Sequence, residues 1–304
     1  MKRIKFGLSP WLSSDLAFYR EWVLECEDLG FHSIYVTDHL AGGLECWTKL
    51  SALSTITRRV RLGTVVLCNP LRNPALLANM AASVDIISGG RLELGLGAGH
   101  IRRDFDICGI PFPKPSVRIG QMEEAIKIVK MMWAGQNPRF QGKYYEIEEA
   151  RCPKPIQKPH PPIMVGGEGE KLTLKVVAKH ADMCNLPHTT VEQTNRKLEV
   201  LREHCGRVGR DPREIENSWF GIALVSDKSK ELDEGMETLH RLAPDRYPNP
   251  ENTRARTITG TPEQCINKIS EYVEAGITYF ILYFPDRKGV RLFSREIMPK
   301  VVTL

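Results

Sequence analysis

Three stretches of this 304-residue chain place chemically able residues where a fold would expose them. Asp38 and His39 are adjacent and follow the apolar run Ser33 to Val36 after Thr37. A carboxylate beside an imidazole can hold a ligand and move protons near neutral pH, although a loop-capping Asp next to a solvated His has the same spacing. His100 follows Gly97-Ala98-Gly99, a turn with so little side-chain bulk that backbone amides can approach a flat or anionic ligand. It is the second candidate acid or base; the competing reading is a surface histidine that opens an exposed loop with Arg102 and Arg103. Gly166-Gly167-Glu168-Gly169-Glu170-Lys171 lies between an apolar run and a helical pattern, so several free amides at a helix start could take a phosphate. Glu168 and Glu170 oppose a dianion there, and Lys171 offsets them in part.

These stretches need elements to carry them, and the surrounding pattern supplies those. Val60 to Cys68 is almost continuously apolar, as in a strand covered on both faces. Ala75 to Ile87 has helical spacing and stops at Gly89-Gly90, after which Arg91 to Leu96 returns to strand. About eight strands, each followed by helical pattern, run from Lys5 to Phe284 with no linker long enough to divide the chain. This alternation predicts a single domain over 1–304, a (β/α)8 TIM barrel with insertions, whose site lies just past the strands. The alternative, an open doubly wound sheet, lacks a GxGxxG after its first strand. Ile101 to Val117, with Pro111, Pro113 and Pro115, reads as an irregular excursion. Cys152 to Pro162 reads as a stiff connection, and Ala243 to Thr259, rich in Pro, Asn and Arg, as a loop or lid.

Composition narrows the partners. Hydrophobic content of 42% and charged content of 26% are those of an ordinary globular protein. No run approaches a membrane span and MKRIKFGLSP lacks a signal-peptide apolar region, so a cytoplasmic protein is expected. The net charge of +5 is spread along the chain, favouring an anionic small molecule over nucleic acid or a membrane. The eight cysteines have no CxxC pair or zinc spacing, so they are read as reduced thiols and no metal is expected.

Taken together, Thr37-Asp38-His39, Arg61-Leu62-Gly63-Thr64, Arg72-Asn73-Pro74, Asp85, Ser88-Gly89-Gly90-Arg91, Gly95-Leu96-Gly97-Ala98-Gly99 and Gly166 to Lys171 leading to Ala181-Asp182 resemble the bacterial luciferase-like flavin and deazaflavin enzymes, in particular the branch using coenzyme F420. The resemblance implies a luciferase-like barrel with the cofactor ring at its C-terminal end and, as in much of that family, a homodimer. It implies that Asp38 contacts the cofactor and that His39 acts in proton transfer, with His100 a possible partner. It further implies a non-prolyl cis peptide behind the ring near Val65-Val66. Cys68, Ala98, Gly99 and Arg103 would line the cofactor, while Gly166, Gly167, Gly169 and Glu170 would wrap its phosphate through main-chain amides.

The expected activity is therefore an F420-dependent oxidoreductase that transfers a hydride between the deazaflavin C5 and a small organic substrate. Two alternatives share the fold: an FMN-dependent two-component monooxygenase, and a non-catalytic flavin-binding protein whose substrate cavity would be closed. The glucose-6-phosphate dehydrogenase of this family has a glutamate where this chain has His100 and a tryptophan where it has Gly43. That departure argues against the same sugar phosphate as substrate.

Overall fold

The computed structural model describes residues 3–10, 15–40, 43–135 and 138–301. Eight parallel strands close into a barrel: β1 (Lys5–Leu8), β2 (Ser33–Val36), β3 (Arg61–Thr64), β4 (Leu92–Gly97), β5 (Ile163–Gly166), β6 (Met183–Pro187), β7 (Glu216–Val225) and β8 (Tyr279–Tyr283). Each pairs with its neighbours in sequence, except that β4 reaches β5 across a long excursion and β8 closes on β1. Helices surround them: α1 (Leu16–Asp28), α2 (Cys46–Ile56), α3 (Pro74–Ser88), α4 (Arg102–Ile107), α5 (Pro115–Trp133), α6 (Thr173–His180), α7 (Val191–Val208), α8 (Ser229–Leu242), α9 (Pro250–Arg256), α10 (Pro262–Ala275) and α11 (Arg287–Glu296).

Local sequence explains many of the boundaries. The Asp15 carboxylate accepts from Ala17 N at 2.8 Å and so caps α1, while Asn73 caps α3 with Pro74 at its first position. Thr190–Gln193 and Thr261–Gln264 form capping boxes on α7 and α10. Gly89, Gly209 and Gly276 end α3, α7 and α10 with positive φ.

The barrel interior is filled rather than open. Tyr35, Val65, Met164, Met183, Tyr279 and Ile281 pack as one cluster. Below them the buried Glu93 carboxylate accepts from Tyr279 Oη at 3.1 Å and is also bonded by Tyr35 and Arg61. A buried carboxylate is tolerated only with such partners.

Three expectations need correction. Val60 to Cys68 is not one strand: β3 stops at Thr64, the Val65–Val66 peptide is cis, and Leu67–Cys68 pairs separately with β4. The region Ile101 to Val117 contains α4 and the first turn of α5, because Pro115 occupies a helix start, where a missing N–H costs nothing. Ala243 to Thr259 contains α9, capped by Asn249 with Pro250 at its first position, and the start of the strand Ile258–Gly260, which pairs with β7.

Candidate active site

A cleft of about 580 Å³ opens at the C-terminal ends of the strands. Its wall on the β3–β4 side is shaped by glycines that converge on one valine. A Cβ on Gly97 would stand 2.5 Å from Val66 Cγ2, and one on Gly166 would stand 2.7 Å from Val66 Cγ1. Only glycine at both positions lets the Val66 side chain seat between β4 and β5. Gly95 is equally constrained, since a Cβ there would stand 1.8 Å from the Thr64 carbonyl oxygen. Thr64 Oγ1 both donates to the Gly95 carbonyl at 2.8 Å and accepts from Gly95 N at 2.9 Å. The Arg-Leu-Gly-Thr and glycine motifs thus build one wall, and the cis Val65–Val66 peptide lies where the family resemblance implied it.

Asp38 and Cys68 join the exits of β2 and β3. The buried Asp38 carboxylate accepts from Cys68 N at 3.0 Å and from Arg72 at 2.6 and 2.9 Å. Arg72 reaches Glu45 at 2.8 Å as well. Asp38 lines the cleft, but its charge is committed to holding the wall. Burial, with Asp38 and Asp104 nearby, pushes the Cys68 thiol up to about 12, so it stays protonated and is no nucleophile.

His39 and His100 face each other across the cleft with ring centroids 6.4 Å apart and planes at 81°. This separation is beyond direct hydrogen-bond reach. His39 Nδ1 lies 3.1 Å from Asp104 Oδ2. Partial burial, with the charges of His39 and Arg246, lowers the pKa of His100, so a neutral imidazole able to accept a proton is favoured there.

The β5 loop follows the sequence expectation in part. Gly166, Gly167, Glu168 and Gly169 line the cleft beside Thr173 at the start of α6. The Gly167 N–H is not free, because it donates to the Asn185 carbonyl at 3.1 Å. Glu170 leaves the cleft altogether: Arg196 at 3.0 Å and Lys197 at 3.1 Å, both on α7, draw its carboxylate outward. That removes one of the two carboxylates that would repel an anion. Arg103 is also misplaced by the sequence expectation, since it is exposed on α4 and absent from the cleft lining. Helical phase is the reason. α4 turns Asp104 and Phe105 inward and leaves Arg102 and Arg103 outside.

Several lining residues were not singled out from sequence. Arg118 donates to the Gly99 carbonyl at 3.0 Å and lies 4.0 Å from the Phe112 ring centroid, so it rigidifies the glycine turn. His188 has φ 53° and is buried. Its pKa is lowered to about 3 by burial and by Arg246 and Arg256, and its Nδ1 lies 3.0 Å from Tyr247 Oη. Arg246 and Arg256 reach the cleft from the segment after α8. No local pattern marks Asp104, Arg118 or His188, because each enters the site through tertiary packing. Among the described residues, no group of three His, Cys, Asp or Glu side chains is placed to hold a metal ion.

A profile of the luciferase-like monooxygenase family matches residues 5–279. The F420-dependent glucose-6-phosphate dehydrogenase of Amycolatopsis mediterranei (strain U-32) is 26% identical over 318 residues, covering 93% of this chain and 94% of that protein. An F420-dependent secondary alcohol dehydrogenase solved with an F420–acetone adduct superposes with a TM-score of 0.87 at 23% identity, covering 98% of this chain and 99% of that one. A long-chain alkane monooxygenase superposes with a TM-score of 0.86 at 15% identity, covering 100% of this chain and 92% of the other. These last two likenesses concern the fold.

Proposed function

The chain belongs to the luciferase-like monooxygenase family, and from that premise we propose that it is a coenzyme F420-dependent oxidoreductase acting on a small organic substrate. The observation that carries the reading is the pair of imidazoles, His39 and His100, 6.4 Å apart over the wall built by Val66 and the glycines. The curated relatives named above for F420 add support across nearly the whole chain.

The residues present suit such a group. Val65, Val66, Cys68, Ala98 and Gly99 offer a close-packed, uncharged surface to a planar ring. Glu168 and Gly169, on the turn that leads toward α6, with Arg246 and Arg256 elsewhere on the lining, offer amides and positive charge to a phosphate. When bound, the deazaflavin supplies hydride transfer at C5 without activating oxygen as FMN does. The protein's part is to hold and move protons. His39 exchanges with a substrate oxygen lying between the rings the one proton that accompanies the hydride, and the neutral form favoured at His100 can hydrogen-bond that same oxygen. Asp38 and Arg72 keep the wall fixed while this occurs. An open cleft of about 580 Å³ favours catalysis over cofactor storage.

The remaining parts of the proposal are a single barrel domain, a homodimer and a cytoplasmic location. Leu76 (56% exposed) and Ile87 (53% exposed) on α3, with Ile156 (51% exposed) near its end, are apolar surface that a dimer would cover. All eight cysteines are free thiols, as suits a reducing compartment. No described helix is long and apolar enough to cross a membrane.

The test is a turnover screen. F420 with secondary alcohols and sugar phosphates should lose its oxidised absorbance with at least one alcohol-bearing substrate. Glucose 6-phosphate is the informative control, since the curated relatives named above are F420-dependent glucose-6-phosphate dehydrogenases. Oxygen consumption with reduced FMN, and none of this F420 chemistry, would instead assign the chain to the monooxygenases.

A further inference from the structure

A histidine that exchanges protons must present one defined nitrogen to its substrate, and in this fold a single carboxylate decides which. Asp104 lies on α4, and its side chain is 5% exposed. Its Oδ2 is 3.1 Å from His39 Nδ1 and its Oδ1 accepts from Leu40 N at 3.4 Å. Both oxygens therefore turn to the His39–Leu40 corner. No Lys or Arg pairs with Asp104 among the described residues; Arg102, two positions away, pairs with Asp106 at 3.5 Å. The other acid beside His39, Asp38, is held by Arg72 and Cys68 and does not compete for the imidazole.

We propose that Asp104 is the positioning residue that fixes the tautomer of His39, keeping the proton on Nδ1 and leaving Nε2 as the atom that exchanges protons in the cleft. An ionised carboxylate only accepts hydrogen bonds, so a contact at 3.1 Å requires the hydrogen to be on Nδ1. The remaining ring nitrogen, Nε2, is then a lone-pair acceptor. When it takes a proton from a substrate oxygen, the positive charge that develops on the half-exposed His39 ring lies against the buried Asp104 carboxylate, which favours that charged form. The tautomer follows from the geometry alone; its catalytic use rests on the oxidoreductase reading.

The experiment uses the full chain with isotope-labelled histidine. Long-range proton–nitrogen spectra recorded under mildly alkaline conditions report the tautomer, and His39→Gln identifies the His39 signal among eight histidines. The wild type and Asp104→Glu should show the Nδ1–H form, whereas Asp104→Asn, whose amide can donate to Nδ1, should shift His39 toward the Nε2–H form. With the substrate returned by the turnover screen, Asp104→Asn should lower kcat at least about 10-fold with F420 affinity within about 2-fold, and Asp104→Glu should recover part of the rate. A wild-type His39 in the Nε2–H form overturns the proposal even if no variant folds. An Asp104→Asn protein with unchanged tautomer and kcat also overturns it. Failure of F420 to bind would strike the oxidoreductase reading and leave the tautomer result standing.

Discussion

Arg72 closes on both oxygens of the Asp38 carboxylate, Nη1 at 2.6 Å from Oδ2 and Nη2 at 2.9 Å from Oδ1, and so ties the loop after β3 to the exit of β2. Removing one member of a buried pair strands the other. Arg72→Met should cost about 3 to 5 kcal/mol, because Asp38 is left with only the Cys68 amide. Asp38→Asn should cost less, because Arg72 keeps Glu45. Urea denaturation of the two variants compares them, and a loss below about 1 kcal/mol for Arg72→Met would mean that the pair does not hold the wall.

Gly97→Ala tests the wall itself. The new Cβ would lie 2.5 Å from Val66 Cγ2, so Val66 must move into the cleft or β4 must shift. Overpacking of this kind costs about 1 to 3 kcal/mol. F420 affinity should fall by at least about 10-fold, equivalent to about 1.4 kcal/mol, beyond any change from thermal destabilisation. Wild-type affinity in a folded Gly97→Ala protein would show that the ring does not rest against this wall.

Buried His188 sets an acid limit on stability. Its pKa falls from 6.5 to about 3 in the fold, chiefly through burial. Below its unfolded value the unfolded chain takes up a proton that the folded chain refuses, so stability falls as pH drops from 6.5 toward 3. Between about pH 7 and pH 5 the wild type should lose about 2 kcal/mol more than His188→Asn, whose asparagine tolerates positive φ. Equal losses in the two proteins would place the acid sensitivity elsewhere.

His39→Ala separates chemistry from binding. Turnover on the substrate found by the screen should drop about 10² to 10⁴-fold while F420 affinity stays within a few fold. Loss of affinity with unchanged turnover at saturation would make His39 a cofactor ligand.

The elements and the His39–His100 pair were legible because they obey short-range rules. Asp15, Asn73 and Thr261 cap helices where local sequence calls for caps, and Asp38-His39 and His100 stand just past strands, where a barrel exposes its residues. What was illegible depends on packing between distant segments. Asp104 is brought to His39 by a helix inside a proline-rich stretch, and proline at a first helical position looks, in sequence, like proline in a loop. Arg103 and Asp104 are neighbours, and only the phase of α4 decides which one faces the cleft. Glu170 was assigned to the phosphate loop because its partners, Arg196 and Lys197, lie on a helix more than 20 residues further along.

The most direct measurement of the central claim is a parallel fluorescence titration of the purified protein with F420 and with FMN. Micromolar binding of F420, with FMN at least about 10-fold weaker, is the predicted result. Micromolar binding of FMN with no binding of F420 would contradict it.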